Sequence, residues 1–160
     1  MSIQVAVDRL KAQFGETVLS VNEFRGETTV VVNKDQIVAV CAFLKKELGF
    51  NFLTDICAID YLGQALRFMV VYQLYNIGTH QRLRIKAAVE GVDACIDTVS
   101  CVWATANWLE RECYDLMGIV FNNHPDPRRI LMPADWVGHP LRKDYPVQGP
   151  DREPYQGRLQ

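Results

Sequence analysis

Proline is absent from this 160-residue chain before position 125, and all seven prolines, at 125, 127, 133, 140, 146, 150 and 154, lie beyond that point. The proline-free part can carry regular helix and strand, whereas the remainder cannot sustain either for long. Long hydrophobic runs are missing too. The longest, Ile37 to Leu44, falls well short of the ~20 apolar residues a bilayer span requires, and Met1 to Phe14 mixes charge with apolar side chains. Neither a transmembrane helix nor a signal peptide is expected. The chain has no C-x-x-C pair, no histidine within a few residues of a cysteine and no Gly-rich phosphate loop. The usual zinc, iron–sulfur and nucleotide spacings are therefore missing, and no metal or cofactor is expected in this chain. Five cysteines, an odd number scattered over the sequence, argue against a disulfide framework and for a reducing compartment. A formal net charge of −2 leaves no single-sign excess to attract nucleic acid or an anionic membrane.

The proline-free part reads as α+β. Ser2 can cap a first helix with an apolar face of Ile3, Val7, Leu10 and Phe14, ended by Gly15. Residues 17–24 and 28–32 are rich in β formers around Arg25-Gly26-Glu27, the pattern of a hairpin. A second helix presents Ile37, Val40, Cys41, Leu44 and Leu48, with Asp35 as its expected N-cap and Gly49 beyond it. Three strands follow, roughly 52–61, 66–75 and 82–89. In the last of these Leu83, Ile85, Ala87 and Val89 alternate with Arg82, Arg84 and Lys86, as in a sheet covered on one face. Helices on one face of a small, mainly antiparallel sheet are the expected arrangement.

Asn107-Trp108-Leu109-Glu110 has capping-box spacing, so a third helix is expected to start there and stop at Gly118. Its core stripe would be Leu109, Cys113, Leu116 and Met117. Arg111 and Asp115 would pair on the opposite side, and Glu112, at the edge of the apolar face, would need a cation. The chain thus divides into an α+β domain over 1–121 and an extended Pro-rich segment over 122–160. That segment interleaves Ile130, Leu131, Trp136, Leu141, Tyr145 and Tyr155 with Arg128, Arg129, Arg142, Lys143 and Arg158, the composition of an interface. Fixing an irregular backbone costs ~1 to 2 kcal/mol per residue, so something must hold it. Ion pairs from Arg128, Arg129 or Arg142 to Glu110, Glu112 or Asp115 would supply part of the hold, and a partner surface the rest.

Several longer runs carry a resemblance: Glu110 to Ile119 (ERECYDLMGI), His124-Pro125, Arg128-Arg129-Ile130-Leu131, Asp135-Trp136, and Gly138 to Pro146 (GHPLRKDYP). They resemble the signature of the 30-kilodalton subunit of proton-translocating NADH:quinone oxidoreductase, respiratory complex I. The match is dense over 108–146 and departs from the commonest pattern at Leu116-Met117 and Pro127. The resemblance implies an accessory subunit without catalytic residues or a redox centre, in a complex that passes electrons from NADH to quinone and translocates protons. FMN and iron–sulfur clusters would sit in other peripheral-arm subunits, with this chain beside those that form the quinone pocket and carry the terminal cluster. It would lie peripherally on the cytoplasmic side of the inner (plasma) membrane. Glu110, Arg111, Glu112, Asp115, Arg128 and Arg129 are then expected to anchor the segment. Asp135, Trp136, His139, Leu141, Arg142, Lys143, Asp144 and Tyr145 are expected to meet the partner.

A different class of reading makes the chain a stand-alone binding or enzymatic domain using the Glu112, Cys113 and His124 neighbourhood. Against it, Cys113 falls on a core stripe, where a thiol behaves as a small hydrophobe. His-Pro pairs at His124 and His139 suit turns, and the carboxylates within 110–115 are expected to face arginines rather than a reacting group. A self-sufficient enzyme also has no need of a long irregular segment bearing aromatic anchors.

Overall fold

A computed structural model describes residues 2–147. The first helix, α1 (Ile3–Phe14), begins where the Ser2 hydroxyl accepts from the Val5 amide, as the sequence suggests. It is followed by β1 (Val18–Phe24) and β2 (Glu27–Val32), then α2 (Ile37–Lys46), β3 (Phe52–Asp60), β4 (Phe68–Asn76) and β5 (Gln81–Val89). The β1–β2 turn is Arg25-Gly26, both at positive φ, which gives the backbone the twist of a tight hairpin.

The five strands form one sheet in the order β1-β2-β5-β4-β3. Only β2 and β5 run parallel, and the chain reaches that pairing by crossing over through α2 and the β3–β4 hairpin. Leu83, Ile85, Ala87 and Val89 do face the core, opposite Leu74, Tyr72, Val70 and Phe68 of β4. Ala6, Val7 and Leu10 of α1 and Ile37, Val40, Cys41 and Leu44 of α2 close over the same face. This is the α+β arrangement read from the sequence.

Two local expectations are corrected. Asp35 does not cap α2; Asn33 accepts from the Asp35 amide at 3.1 Å and starts a short 3₁₀ turn that leads into the helix. Leu48 lies past the end of α2 but is buried, because the chain folds back there and the Phe50 amide donates to the Leu44 carbonyl. A small parallel ladder, β6 (Cys95–Asp97) with β7 (Val120–Asn122), had no recognisable pattern in the sequence, since three residues are too few to show a period. Between these two strands lies α3 (Ala106–Met117), which packs against the edge strand β3. Residues 123–147 contain neither helix nor strand. The expectations for Pro150, Pro154, Tyr155 and Arg158 lie outside the described residues.

Candidate functional site

The wheel of α3 differs from the one expected. Its buried positions are Ala106, Glu110, Arg111, Cys113, Asp115 and Met117, so three charged side chains turn inward. Asn107 makes no capping box with Glu110. The Glu110 carboxylate instead accepts from the Thr98 hydroxyl at 2.5 Å and the Val99 amide at 2.7 Å, tying down the connection that precedes the helix. Arg111 and Asp115 do not pair with each other. Both reach the C-terminal segment, which is why a solvent-side salt bridge is the wrong reading of their i, i+4 spacing. Glu112 is exposed and has no ion-pair partner among the described residues, so it anchors nothing there.

Asp115 is the hub. Its Oδ1 receives Arg129 at 2.7 Å, and its Oδ2 receives the backbone amides of Ile130, Leu131 and Met132 at 3.1, 2.8 and 2.8 Å. Burial alone would raise this carboxyl, but the bonds from Met132, Arg129, Leu131 and Ile130 outweigh it and hold Asp115 below the usual carboxylate range. The other arm of Arg129 donates to the Trp136 and Gly138 carbonyls, so one guanidinium closes the loop between them. Arg111 donates to the Arg128 and Arg129 carbonyls and pairs with Asp126 at 3.3 Å. Arg128, expected as an anchor, turns outward and bonds Asp126 alone, at 2.6 and 2.8 Å.

The segment also finishes α3. The last carbonyls of a helix have no partner within it, and they carry the negative end of its dipole. Here the Asp115 carbonyl accepts from His139 Nδ1 at 2.9 Å, Leu116 from the Leu141 amide at 3.0 Å, and Met117 from Arg142 Nε at 2.6 Å. Arg142 also reaches the Gly118 carbonyl. Gly118 sits at φ 73°, and a Cβ there would overlap the Arg142 and His139 side chains, so glycine is required twice over. A second clasp lies beyond the first. Arg67 binds Asp60 through two 2.8 Å bonds and Asp144 through bonds of 2.9 and 2.7 Å, while Asp60 accepts the Lys143 amide at 2.8 Å. Arg67 holds both carboxyls below their ordinary values. Sequence reasoning missed Arg67 and Asp60. Asp60 did leave a signal, as the carboxylate that interrupts the inward alternation of Ile56 and Ala58; Arg67 left none.

Several residues assigned to a partner therefore face their own domain. His139 and Arg142 cap α3, and Asp144 and the Lys143 backbone join the Arg67 clasp, while the Tyr145 hydroxyl donates to the Val137 carbonyl within the segment itself. Trp136 is half-buried, while Asp135 and the Lys143 side chain are not enclosed by the domain. Beside these charged groups three large apolar side chains also point outward: Leu131, Val137 and Leu141 are 59%, 66% and 56% exposed. Glu112, Cys113 and His124 do not converge. Cys113 is buried with its sulfur 3.6 Å from the Ile56 carbonyl, burial pushes its thiol up, and His124 faces Glu110. Among the described residues, no three His, Cys, Asp or Glu side chains are grouped to hold a metal, and no helix is long and apolar enough to cross a membrane.

Comparison with known proteins finds the family described as respiratory-chain NADH dehydrogenase, 30 Kd subunit, matching residues 30–151. The chain belongs to this family. Its NADH-quinone oxidoreductase counterpart in Geotalea uraniireducens (strain Rf4) is 65% identical over 154 residues, which cover 96% of this chain and 94% of that one. The counterpart in Roseiflexus sp. (strain RS-1) is 43% identical, covering 88% and 82%. Among solved structures, the trypsin-resistant fragment (1-134) of Nqo5 superimposes with a TM-score of 0.70 at 34% identity, covering 79% of this chain and 99% of that one. A chain of the membrane-bound sulfane sulfur reductase, an archaeal respiratory membrane complex, gives a TM-score of 0.74 at 19% identity and 90% and 85% coverage, a likeness of fold. The matched residues of the 30-kilodalton family run from 30 to 151 and so include α3 and the described part of the C-terminal segment.

Proposed function

We propose that this chain is a non-catalytic subunit of the peripheral arm of NADH-quinone oxidoreductase, free of redox groups, that docks through its clasped C-terminal segment. FMN and iron–sulfur clusters belong to its partner subunits, and electron transfer and proton translocation belong to the whole complex. The partners in this reading are the subunits that form the quinone pocket and carry the terminal iron–sulfur cluster. The chain lies peripherally on the cytoplasmic side of the membrane. The observation that carries the reading is the division of labour within residues 129–145. Arg129, His139, Arg142 and Asp144 turn inward to the domain, and Leu131, Val137 and Leu141 turn away from it. Holding an irregular backbone rigid before contact lowers the ordering entropy that association must overcome, and exposed aliphatic side chains on a fixed support suit the core of an interface.

The test is affinity purification of the tagged full chain from mild-detergent membranes, followed by separation of the recovered chains and optical spectra of each. Recovery with flavin- and iron–sulfur-bearing subunits, and a separated chain without visible absorbance, is the expected result. Recovery of the chain alone, or a chromophore that stays with it, contradicts the proposal.

A further inference from the structure

Glu110 stands outside the docking account. Its side chain is wholly buried on α3, and unlike Asp115 it has no cation beside it. Arg111 turns away to the 128 and 129 carbonyls and Asp126, and Lys45 of α2 donates to the Val102 carbonyl. The titratable groups within electrostatic reach of the carboxyl are Cys41 on α2, Tyr72 on β4, Cys113 on α3 itself and His124 beyond β7, and Tyr114 of α3 lines the same cleft. Of these, His124 alone is a base, with Nε2 3.6 Å from Glu110 Oε2.

Hydrogen bonds occupy both nitrogens of that ring. Nδ1 lies 3.0 Å from the Asp126 amide, which can only donate, and Nε2 lies 3.1 Å from the Asn107 carbonyl, which can only accept. Both ring nitrogens are thereby taken by partners other than Glu110. When ionised, Glu110 accepts from the Thr98 hydroxyl and the Val99 amide at 2.5 and 2.7 Å. When protonated on Oε2, it donates to Thr98 Oγ1, whose own hydrogen turns to Ser100 Oγ at 2.8 Å. Glu110 thus keeps both of its own bonds in either state. A cleft of about 240 Å³ between α3, β7 and the start of the C-terminal segment is lined by Glu110, Tyr114, Phe121, His124 and Arg111, whose guanidinium is engaged by the 128 and 129 carbonyls and Asp126.

We infer that Glu110 is a proton-binding site of this chain, set beside that cleft, with Thr98 as the polar group that serves both states. Burial pushes the carboxyl up to about 7, with the Thr98 and Val99 bonds opposing the rise, so the site changes charge near neutrality. The inference does not depend on docking.

Carbon-13 NMR of the full chain labelled at glutamate carboxyls tests it. One glutamate signal should titrate with a midpoint near pH 7, apart from the others, and Thr98→Val, which removes a bond stronger to the ionised carboxylate than to the neutral acid, should raise that midpoint by about one unit. Glu110→Gln should delete the signal. A Glu110 carboxyl that stays ionised, or stays protonated, from about pH 5 to about pH 9 overturns the inference. So does a neutral-range midpoint that Thr98→Val leaves unmoved, a comparison that stands even if the glutamine variant does not fold.

Discussion

Glu110 and Asp115 are both fully buried carboxyls on one helix, little more than a turn apart, yet their surroundings act on them in opposite directions. Asp115 faces the C-terminal segment, where Arg129 and three backbone amides meet it, and it is held ionised. Glu110 faces the β6–α3 connection, where a hydroxyl and one amide meet it, and burial prevails. Depth alone therefore does not set the state of a buried acid; the number and charge of its donors do. The front of α3 carries a titratable group, and the back carries a permanent clasp.

Breaking the clasp at its hub is expected to have the largest effect. Asp115→Ala leaves Arg129 and three amides without their acceptor and should destabilise the chain by roughly 3 to 5 kcal/mol in urea unfolding. Amide exchange at residues 130–132 should accelerate with it. The two ends of α3 should also answer pH with opposite signs. Glu110 is raised from 4.5 to about 7 in the folded chain, so its contribution, about 3 kcal/mol at most, is complete below pH 4.5 and lost as pH rises through 7. Asp115 is lowered from 3.8, so its contribution is present above that value and lost as pH falls through the lower folded value. Unfolding free energies followed across the neutral range should decline in the wild type and be flatter in Glu110→Gln. Removing the cap at the end of α3, by Arg142→Ala, should cost about 1 to 3 kcal/mol in the same unfolding assay, for carbonyls left without their charged donor. Arg128→Ala should leave the unfolding midpoint unchanged in the same assay, because that pair with Asp126 is solvent-exposed.

The same contrast explains what the sequence made legible. Elements with a period could be read: the inward row Leu83, Ile85, Ala87, Val89 and the apolar faces of α1 and α2 follow from spacing alone. The prolines placed the start of the irregular segment at 122, whereas Asn122 still belongs to β7. The site was legible as a set of residues but not as directions. Arg111 and Asp115 have the spacing of a surface pair, and nothing local indicates that Asp115 will instead collect amides from residues fifteen to seventeen positions away. The capping-box spacing at Asn107 misled for a related reason, since a tertiary partner, the Val99 amide, took the carboxylate that the local motif assigned to the helix start. Asp60 ends β3 and Arg67 precedes β4, both far from the signature, and only the fold brings them to Lys143 and Asp144. Long-range hydrogen bonds have no sequence period, and the clasps are made of them.

The central claim is that inward polar side chains hold the C-terminal segment in place so that Leu131, Val137 and Leu141 can meet a partner. The most direct test replaces all three with serine in the tagged full chain, checks by circular dichroism and urea unfolding that the domain is intact, and compares the subunits recovered from mild-detergent membranes with those of the wild type. The expected result is a folded variant that loses its flavin- and iron–sulfur-bearing companions. A folded variant that retains all of them would contradict the claim and place the docking surface elsewhere on the molecule.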